Sequence, residues 1–255
     1  MSDAEPLPYE QRARSFGTIA EHYDRYRPAP PAEALEWVLP EHCQAAVELG
    51  AGTGALTELL HDRVREVVAV EPDSSMRQVL VARVAGVPVV GALAEALPLM
   101  SGGFDAAVAA SSWHWMDPVR TPVEVARVLR PGGALGLLWN GADRSVDWVQ
   151  EILGPGNVPR EVMASRLSER HKPDFSGGAP FHDLESHAVA YSLHLGVDQM
   201  VGLMGSYSRV FTLPDEKRQP LLDRVSALTT NRLAETGLST IELPMRCLCW
   251  RAIRD

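Results

Sequence analysis

Cysteine is scarce in this chain, and the few cysteines show neither a metal-binding nor a disulfide pattern. Cys43, Cys247 and Cys249 form no Cys-x-x-Cys motif. The last two stand at i and i+2, which places them on one face of a strand, where they pack as reduced thiols. Because too few ligands lie at metal spacing, the sequence predicts neither a disulfide framework nor a metal site.

Long apolar runs and excess positive charge are also missing. No apolar stretch reaches the roughly 18 to 20 residues of a membrane span, and the first residues lack the basic and apolar regions of a secretion signal. The 33 Asp and Glu outnumber the 24 Lys and Arg, for a formal net charge of -9. Broad attachment to nucleic acid or anionic lipid requires a basic surface. We therefore expect a cytoplasmic protein, monomer or homodimer, that acts on a small molecule and binds neither nucleic acid nor membrane.

Short apolar runs alternate with amphipathic stretches of helical length. Each run is short enough to be a buried strand, and repeated strand-helix alternation predicts a parallel sheet covered on both faces. Two later apolar stretches complete the set, so we expect a doubly wound, mostly parallel, seven-stranded α/β sheet. The predicted strands are Ala45–Leu49, Val67–Val70, Val87–Val90, Asp105–Ala110, Ala134–Trp139, His187–Leu195 and Thr240–Trp250.

The pattern predicts three parts along the chain. Residues 1–31 form an N-terminal helical arm or lid, with a helix over 11–23 that the prolines after Arg27 stop. Residues 32–142 form the α/β core, with helices over 55–64, 75–85 and 119–129. Residues 143–255 add helices over 198–210 and 215–235, which cover the substrate, and supply the last two strands of the sheet.

A glycine-rich turn follows the first predicted strand. Gly50, Gly52 and Gly54 lie between that strand and a predicted helix, which is the setting of a nucleotide-binding loop. Glu71 ends the second strand about 20 residues later, where a carboxylate can accept both hydroxyls of a ribose. Residues 50–55 also fit the dinucleotide fingerprint, so an NAD(P)-dependent oxidoreductase is an alternative. Glu48, just ahead of the turn, suits a cationic amino group better than a pyrophosphate.

Several motifs resemble those of class I S-adenosylmethionine (SAM) dependent methyltransferases. The run 47–54 is similar to their first motif, and 70–76 is similar to the motif whose acidic residue holds the ribose. Residues 104–108 and 129–135 resemble their fourth strand and the turn before the fifth. A narrower similarity, to a methyltransferase type 11 subgroup with trans-aconitate-methyltransferase-like proteins, rests on residues 16–28, 112–117, 139–140 and 206–209.

This resemblance implies a Rossmann-like fold and SAM as the cofactor. The implied reaction moves a methyl group to a small-molecule acceptor by in-line displacement and releases S-adenosylhomocysteine (SAH). A catalytically idle SAM-binding protein is a further alternative, because a fold does not determine a function. The residues do not reveal whether the acceptor atom is oxygen, nitrogen or carbon.

The resemblance and the motifs together predict a cofactor site. In the arm, Arg27 or Tyr23 is expected to reach the SAM carboxylate by a charge-assisted hydrogen bond. Leu93 stands where many relatives have an Asp that contacts adenine, so adenine recognition is expected to rely on the Ala94 amide and apolar packing. The predicted cofactor residues are Phe16, Tyr23, Arg27, Glu48, Gly50, Ala51, Gly52, Glu71, Pro72, Met76, Ala94, Glu95, Ser111 and Trp113.

The acceptor is expected beside the segment after the fourth strand, because ligands of open α/β sheets bind at the carboxyl ends of the strands. His114 is a candidate general base, since imidazole titrates near neutral pH, and equally a residue that only lines the pocket. Alignment alone can suffice, so a base is optional. Trp139, Tyr207 and Arg209 are the further candidate substrate contacts, and Asp117 before Pro118 is expected to cap a helix.

Overall fold

The sheet has seven strands, as predicted. The computed structural model describes residues 15–154, 171–175 and 177–255. The strand order is β3-β2-β1-β4-β5-β7-β6, and all pairs from β3 to β5 are parallel. The sheet is mostly parallel, with one antiparallel hairpin at its edge. The strands are β1 Ala45–Leu49, β2 Glu66–Val70, β3 Val89–Val90, β4 Phe104–Ala110, β5 Leu129–Ala142, β6 Phe181–Leu195 and β7 Ile241–Arg254.

Helices connect the parallel strands, which confirms the doubly wound α/β class. The start of the helix predicted over 11–23 lies outside the described residues; its later part is a 3₁₀ turn, Phe16–Ile19, and then α1. Another 3₁₀ turn covers Trp113–Trp115. The α-helices are α1 Ala20–Tyr26, α2 Ala32–Val38, α3 Ala55–His61, α4 Ser74–Arg83, α5 Arg120–Val128, α6 Asp147–Leu153, α7 Val197–Gly205, α8 Ser208–Phe211 and α9 Asp215–Thr236.

Some predicted boundaries move, each for a local reason. The strand expected from Ala134 begins at Leu129, because Phe104 pairs with Leu129 and Ala106 with Ala134, and an irregularity accommodates the extra residues of β5. The helix expected over 198–210 is two helices, α7 and α8, separated at Ser206 and Tyr207. Helix α5 begins at Arg120, so Pro118 lies in the turn before the helix and not at its first position.

The strand order places one switch point in the sheet. After β1 the chain winds outward through β2 and β3, and then returns to β4 on the other side of β1. Strand β1 is buried at all five positions, as a central strand of a parallel sheet is expected to be. The connections that leave β1 and β4 therefore diverge, and a crevice forms at the carboxyl ends of these two strands.

The described residues form two compact units. The core unit comprises 28–140, 171–175, 177–189 and 247–255, and the arm unit comprises 15–27, 141–154 and 190–246. Unlike the predicted three parts, the arm groups with the later helices, and residues 177–189 and 247–255 group with the core. Along the described residues, no helix has the length and apolar character needed to cross a membrane.

Candidate active site

The turn after β1 and the segment after β4 are fastened to each other. The Ser112 hydroxyl donates a hydrogen bond to the Leu49 carbonyl at 2.7 Å. Gly50 permits this approach, because a Cβ at that position would lie 2.6 Å from the Ser112 Cβ. The Ser111 amide donates to Leu138 of β5, and Ser111 itself has a positive φ of 54°. The two segments that border the crevice thus have defined positions relative to the sheet.

The glycine turn exposes its backbone at Gly52. Gly50, Gly52 and Gly54 all have positive φ, which side chains other than glycine rarely adopt. A Cβ on Gly52 would meet no protein atom within 4 Å, so open space lies over this backbone position. The Ala51 amide donates to Val70 at the end of β2, which holds the turn against the sheet. A ligand can therefore approach the turn closely at Gly52.

Glu71 lies beside this open position. Its two carboxylate oxygens accept hydrogen bonds from the amides of Gly52 and Asp73, each at 2.9 Å. Burial raises the pKa of Glu71, and the bonds from Asp73 and Gly52 oppose that rise because they stabilise the ionised form. The carboxylate is thus oriented at the end of β2, at the edge of the glycine turn.

Glu48 is a buried carboxyl under the same turn, with only 1% of its surface exposed. The Thr57 hydroxyl donates to its Oε2 at 2.6 Å. Burial raises the pKa of Glu48 to about 8, the Thr57 bond opposes the rise, and the nearby Glu71 adds to it. Glu48 is therefore largely protonated at neutral pH unless a positive charge comes close.

The segment after β4 is held at both ends. Glu95 accepts a hydrogen bond from the Asp117 amide at 2.7 Å, which ties the two predicted motifs together. Asp117 in turn accepts from the amides of Val119 and Arg120, both at 2.8 Å, and so caps the turn before α5. These bonds lower the pKa of Asp117, with Arg120 the first contributor. Between the two ends, Trp113 packs on the main apolar core.

An aromatic group surrounds His114. The Trp139 Nε1–H donates toward His114 Nδ1 at 3.4 Å, and the His171 ring stacks on Trp139 at 4.8 Å between ring centres. His114 also lies 4.7 Å from the Trp115 ring and 6.1 Å from the His171 ring, centre to centre. The Nδ1 atom of His114 is thus placed as an acceptor for the Trp139 ring.

Comparison with known proteins identifies the family. Residues 47–137 match a methyltransferase domain family. An uncharacterized methyltransferase of Mycobacterium tuberculosis is 38% identical over 241 residues, which cover 93% of this chain and 95% of that protein. This chain is a class I SAM-dependent methyltransferase. An uncharacterized methyltransferase-like protein of Schizosaccharomyces pombe is 30% identical over 231 residues, 88% of this methyltransferase and 90% of the yeast protein.

Solved structures support the fold of the methyltransferase. A protein from Anaeromyxobacter dehalogenans described as a type II methyltransferase matches with a TM-score of 0.68 and 24% identity, over 90% of this chain and 98% of that one. A phosphoethanolamine N-methyltransferase of Haemonchus contortus, solved with SAH, matches with a TM-score of 0.55 and 14% identity, over 96% of this chain and 59% of that one. At these identities the likeness establishes the fold alone.

The other predicted cofactor residues of the methyltransferase differ in accessibility. Pro72 is exposed beside Glu71, and Leu93 is 60% exposed before the buried Ala94. Met76 is buried, and its amide bonds to the Asp73 side chain at 3.0 Å, so this residue supports helix α4. Within the described ranges, no group of three or more His, Cys, Asp or Glu side chains is placed to hold a metal ion.

The remaining predicted residues meet in the arm unit of the methyltransferase. Phe16 packs edge-on against Tyr23 at 5.6 Å and against Phe211 at 5.2 Å. The Arg27 guanidinium lies 5.4 Å from the centre of the Tyr23 ring and 4.4 Å from that of Tyr207. Arg209 lies 5.6 Å from the Tyr207 ring. The three arm residues and the two candidate substrate contacts thus form one cluster.

Sequence reasoning missed several residues of the crevice and of the arm unit. Ser112 bonds to the Leu49 carbonyl and Thr57 to Glu48, and neither bond follows from the motif pattern. Arg144 interacts with Tyr207, yet no local pattern marks it. His171 stacks on Trp139 across more than 30 residues of chain, so only the folded chain reveals the pair. Asp73 caps α4 through the amides of Ser75 and Met76, which a helix-start pattern can predict.

Proposed function

We propose that this methyltransferase binds SAM at the crevice beyond β1 and β4 and transfers its methyl group to a small-molecule acceptor, with SAH as the second product. The observation that carries the proposal is the open backbone at Gly52 beside the oriented carboxylate of Glu71. A nucleoside needs both features, because its sugar must approach the turn closely and its hydroxyls need an acceptor.

The charges around the turn also fit SAM. Glu71 would accept the ribose hydroxyls, and exchange of its present amide bonds for hydroxyl bonds keeps the carboxylate satisfied. A cationic amino group near Glu48 would lower the pKa of that buried carboxyl and favour its ionised form. The Ala94 amide and the neighbouring apolar surface would receive adenine, since Leu93 offers no polar group.

SAM supplies an electrophilic methyl group on a sulfonium, so the protein has mainly to align the acceptor with it. We place His114 beside the acceptor, where the Trp139 ring donates toward its Nδ1 and holds the imidazole in position. In that role His114 orients an acceptor oxygen or nitrogen and need not remove a proton. The in-line course of the transfer and the trans-aconitate-like subgroup remain predictions.

Two matched glycine variants test the cofactor site. Gly52→Ala places a methyl group in the open space over the turn, and Gly102→Ala makes the same change at a glycine with nearly the same φ, 62° against 58°, and equally open surroundings. Because Gly102 lies at the amino end of β4, only the first variant should obstruct a ligand at the crevice. Calorimetry should show SAM affinity at least about tenfold weaker for Gly52→Ala and unchanged for Gly102→Ala.

Equal SAM affinity in both variants would refute this site. Titration of the wild-type protein with NAD(H) is expected to give no binding, which separates SAM from the dinucleotide alternative. Transfer of a labelled methyl group from SAM into a pool of small metabolites then identifies the acceptor. Binding of SAM without transfer to any pool would favour the idle alternative.

A further inference from the structure

His171 belongs to a group of four aromatic rings in the core unit. Its imidazole stacks on the Trp139 indole, with ring centres 4.8 Å apart and planes 24° from parallel. The Trp139 Nε1–H donates toward His114 Nδ1 at 3.4 Å, and the Trp115 ring lies 4.7 Å from that of His114. His171 therefore contacts a side chain that donates to His114, a candidate substrate contact.

The Trp139 side chain has a single hydrogen-bonding group, so the orientation of its ring determines where that group points. The indole N–H is a donor and lies in the plane of the ring. Trp139 is a buried member of the main apolar core, with 8% of its surface exposed, and a buried indole N–H needs a partner. The distance of 3.4 Å to His114 is long for a hydrogen bond, so a small rotation of the indole would break it.

A ring stacked on the face of the indole opposes such a rotation. Rotation of Trp139 about its side-chain bonds would tilt the indole face against the His171 ring or away from it, and both movements lose the favourable stacking contact. The stacked pair thus favours the ring orientation in which the Trp139 N–H reaches His114.

The segment that carries His171 is itself held on the core. Pro173 is buried, and its ring restricts the backbone two residues after His171. Phe175 packs on the main apolar core and contacts the Phe181 ring at 4.9 Å between ring centres. The Phe175 carbonyl accepts a hydrogen bond from the Gly178 amide at 3.1 Å. His171 is therefore part of a supported segment, which suits it to hold another side chain in place.

We propose that His171 is a positioning residue of the acceptor site: its ring holds Trp139, and the Trp139 N–H holds the His114 imidazole in the orientation that meets the acceptor. The inference rests on the proposed function, because that function places His114 beside the acceptor. A direct electrostatic effect is the alternative, since the His171 and His114 ring centres are 6.1 Å apart. The proposal is that His171 acts through Trp139.

The pH titration of the His114 Cε1–H resonance, followed by NMR without ligand, tests this route. A donor at Nδ1 stabilises only an imidazole that has no hydrogen on that atom, and the protonated ring has one there. His171→Ala is therefore expected to raise the titration midpoint of His114 by about 0.4 to 1 pH unit. His171→Phe keeps a stacking ring without a charge and should restore the wild-type midpoint.

Further variants separate the route through Trp139 from a direct effect. Trp139→Phe keeps a ring and removes the N–H, so it should raise the His114 midpoint, and His171→Ala added to it should cause no further change. His187→Ala is the matched control, because His187 also stacks on a tryptophan of the core unit, Trp37, with ring centres 5.4 Å apart. This control should leave the midpoint unchanged. The thermal midpoint of each variant checks that it is folded.

The transfer of labelled methyl from SAM measures what the contact contributes to the reaction. With the acceptor that this assay identifies, His171→Ala should lower kcat about tenfold, because His114 no longer holds the acceptor in line. The affinity for SAM, measured by calorimetry, should stay the same, and His171→Phe should recover the wild-type kcat.

An unchanged His114 midpoint in folded His171→Ala protein would overturn the inference, and so would a His171→Phe protein that behaves like His171→Ala. A further shift when His171→Ala is added to Trp139→Phe would mean that His171 acts on His114 directly, which also contradicts it. Methyl transfer by His171→Ala at the wild-type rate would do the same. Failure of the proposed function gives a different result, because calorimetry then detects no SAM binding while the NMR titration still reports whether His171 acts on His114.

Discussion

Two carboxyls of the site, Glu48 and Glu71, are both buried but differ in their hydrogen-bond donors. Glu71 is 7% exposed and accepts bonds from two backbone amides, whereas Glu48 is 1% exposed and accepts one bond from the Thr57 hydroxyl. Donors to a carboxylate stabilise its ionised form, and burial favours the protonated form. Glu71 is thereby suited to accept hydroxyls, and Glu48 responds to the charge of what binds nearby.

The raised pKa of Glu48 predicts a pH-dependent stability. The unfolded chain ionises this carboxyl near pH 4.3, and the folded protein keeps its proton up to about 8. The unfolded state thus binds fewer protons between these values, and the free energy of unfolding falls with pH by at most about 1.4 kcal/mol per unit. The stability that the protonated Glu48 carboxyl contributes is intact below about pH 4.3 and lost by about pH 8.

Glu48→Gln removes this titration while a carbonyl oxygen remains for Thr57. We expect the variant to gain stability relative to wild type as the pH rises from 5 to 8, in urea unfolding without ligand. The carboxyl of Glu66, 70% exposed on its side chain, provides the control Glu66→Gln, for which the difference from wild type should stay constant. Parallel curves of unfolding free energy against pH for Glu48→Gln and wild type would contradict the raised pKa of Glu48.

At the scale of elements, one arginine connects helix α5 to the segment that leads into β4. The Arg127 guanidinium donates to the carbonyls of Leu97 and Leu99, both at 2.9 Å, and to Ser101. It also donates to Glu124 on its own helix, and Glu124 in turn accepts a hydrogen bond from the Leu97 amide at 2.6 Å. The segment 97–101 has no regular strand pairing, so these side-chain bonds satisfy its backbone.

Arg127→Met should therefore destabilise the protein by about 1 to 3 kcal/mol, because it leaves two carbonyls without their donor. The side chain is about one third exposed, which places the expected value in the lower part of that range. Arg65→Met is the comparison, since the ion pair of Arg65 with Glu66 is 3.9 Å long and lies at a highly exposed position. Its unfolding free energy in urea should stay within about 0.5 kcal/mol of wild type. Equal losses of unfolding free energy in both variants would rule out this role for Arg127.

For the molecule as a whole, the net charge and the charge of one local group of side chains have opposite signs. The net charge is -9, yet the arm unit contains a group of arginines around Tyr207. A nucleic acid needs many basic contacts over an extended surface to release its counterions. The negative net charge therefore disfavours a polyanion as the ligand.

We accordingly predict that the protein does not bind duplex DNA or RNA. In an electrophoretic mobility assay at low ionic strength, micromolar protein should leave a 30-base-pair duplex unshifted, because the overall negative charge repels the phosphate backbone. A basic DNA-binding domain of similar size serves as the positive control. A shift that weakens steeply with added salt would contradict this expectation.

Much of the fold follows from local patterns. Strand β1 has its predicted bounds, and β2 to β5 lie where short apolar runs occur, because buried parallel strands need nearly continuous apolar residues. Strand β6 begins at Phe181, ahead of its predicted start at His187, because its first residues are mostly polar and exposed and show no apolar run. The glycine turn and Glu71 lie at the switch point, since turn conformation and strand alternation are both properties of nearby residues. The predicted start of β5 at Ala134 is wrong by five residues, because its pairing with β4 begins at Leu129 and continues across an irregularity.

The sequence by itself determined the sheet, the turn and the family, since each depends on residues close together in the chain. Only the tertiary structure decided the raised pKa of Glu48, the contact of Trp139 with His114 and the interaction of Arg144 with Tyr207. These depend on burial and on contacts between residues far apart in sequence. A residue type alone does not reveal whether water, an acid or a second cation lies beside it in the folded protein.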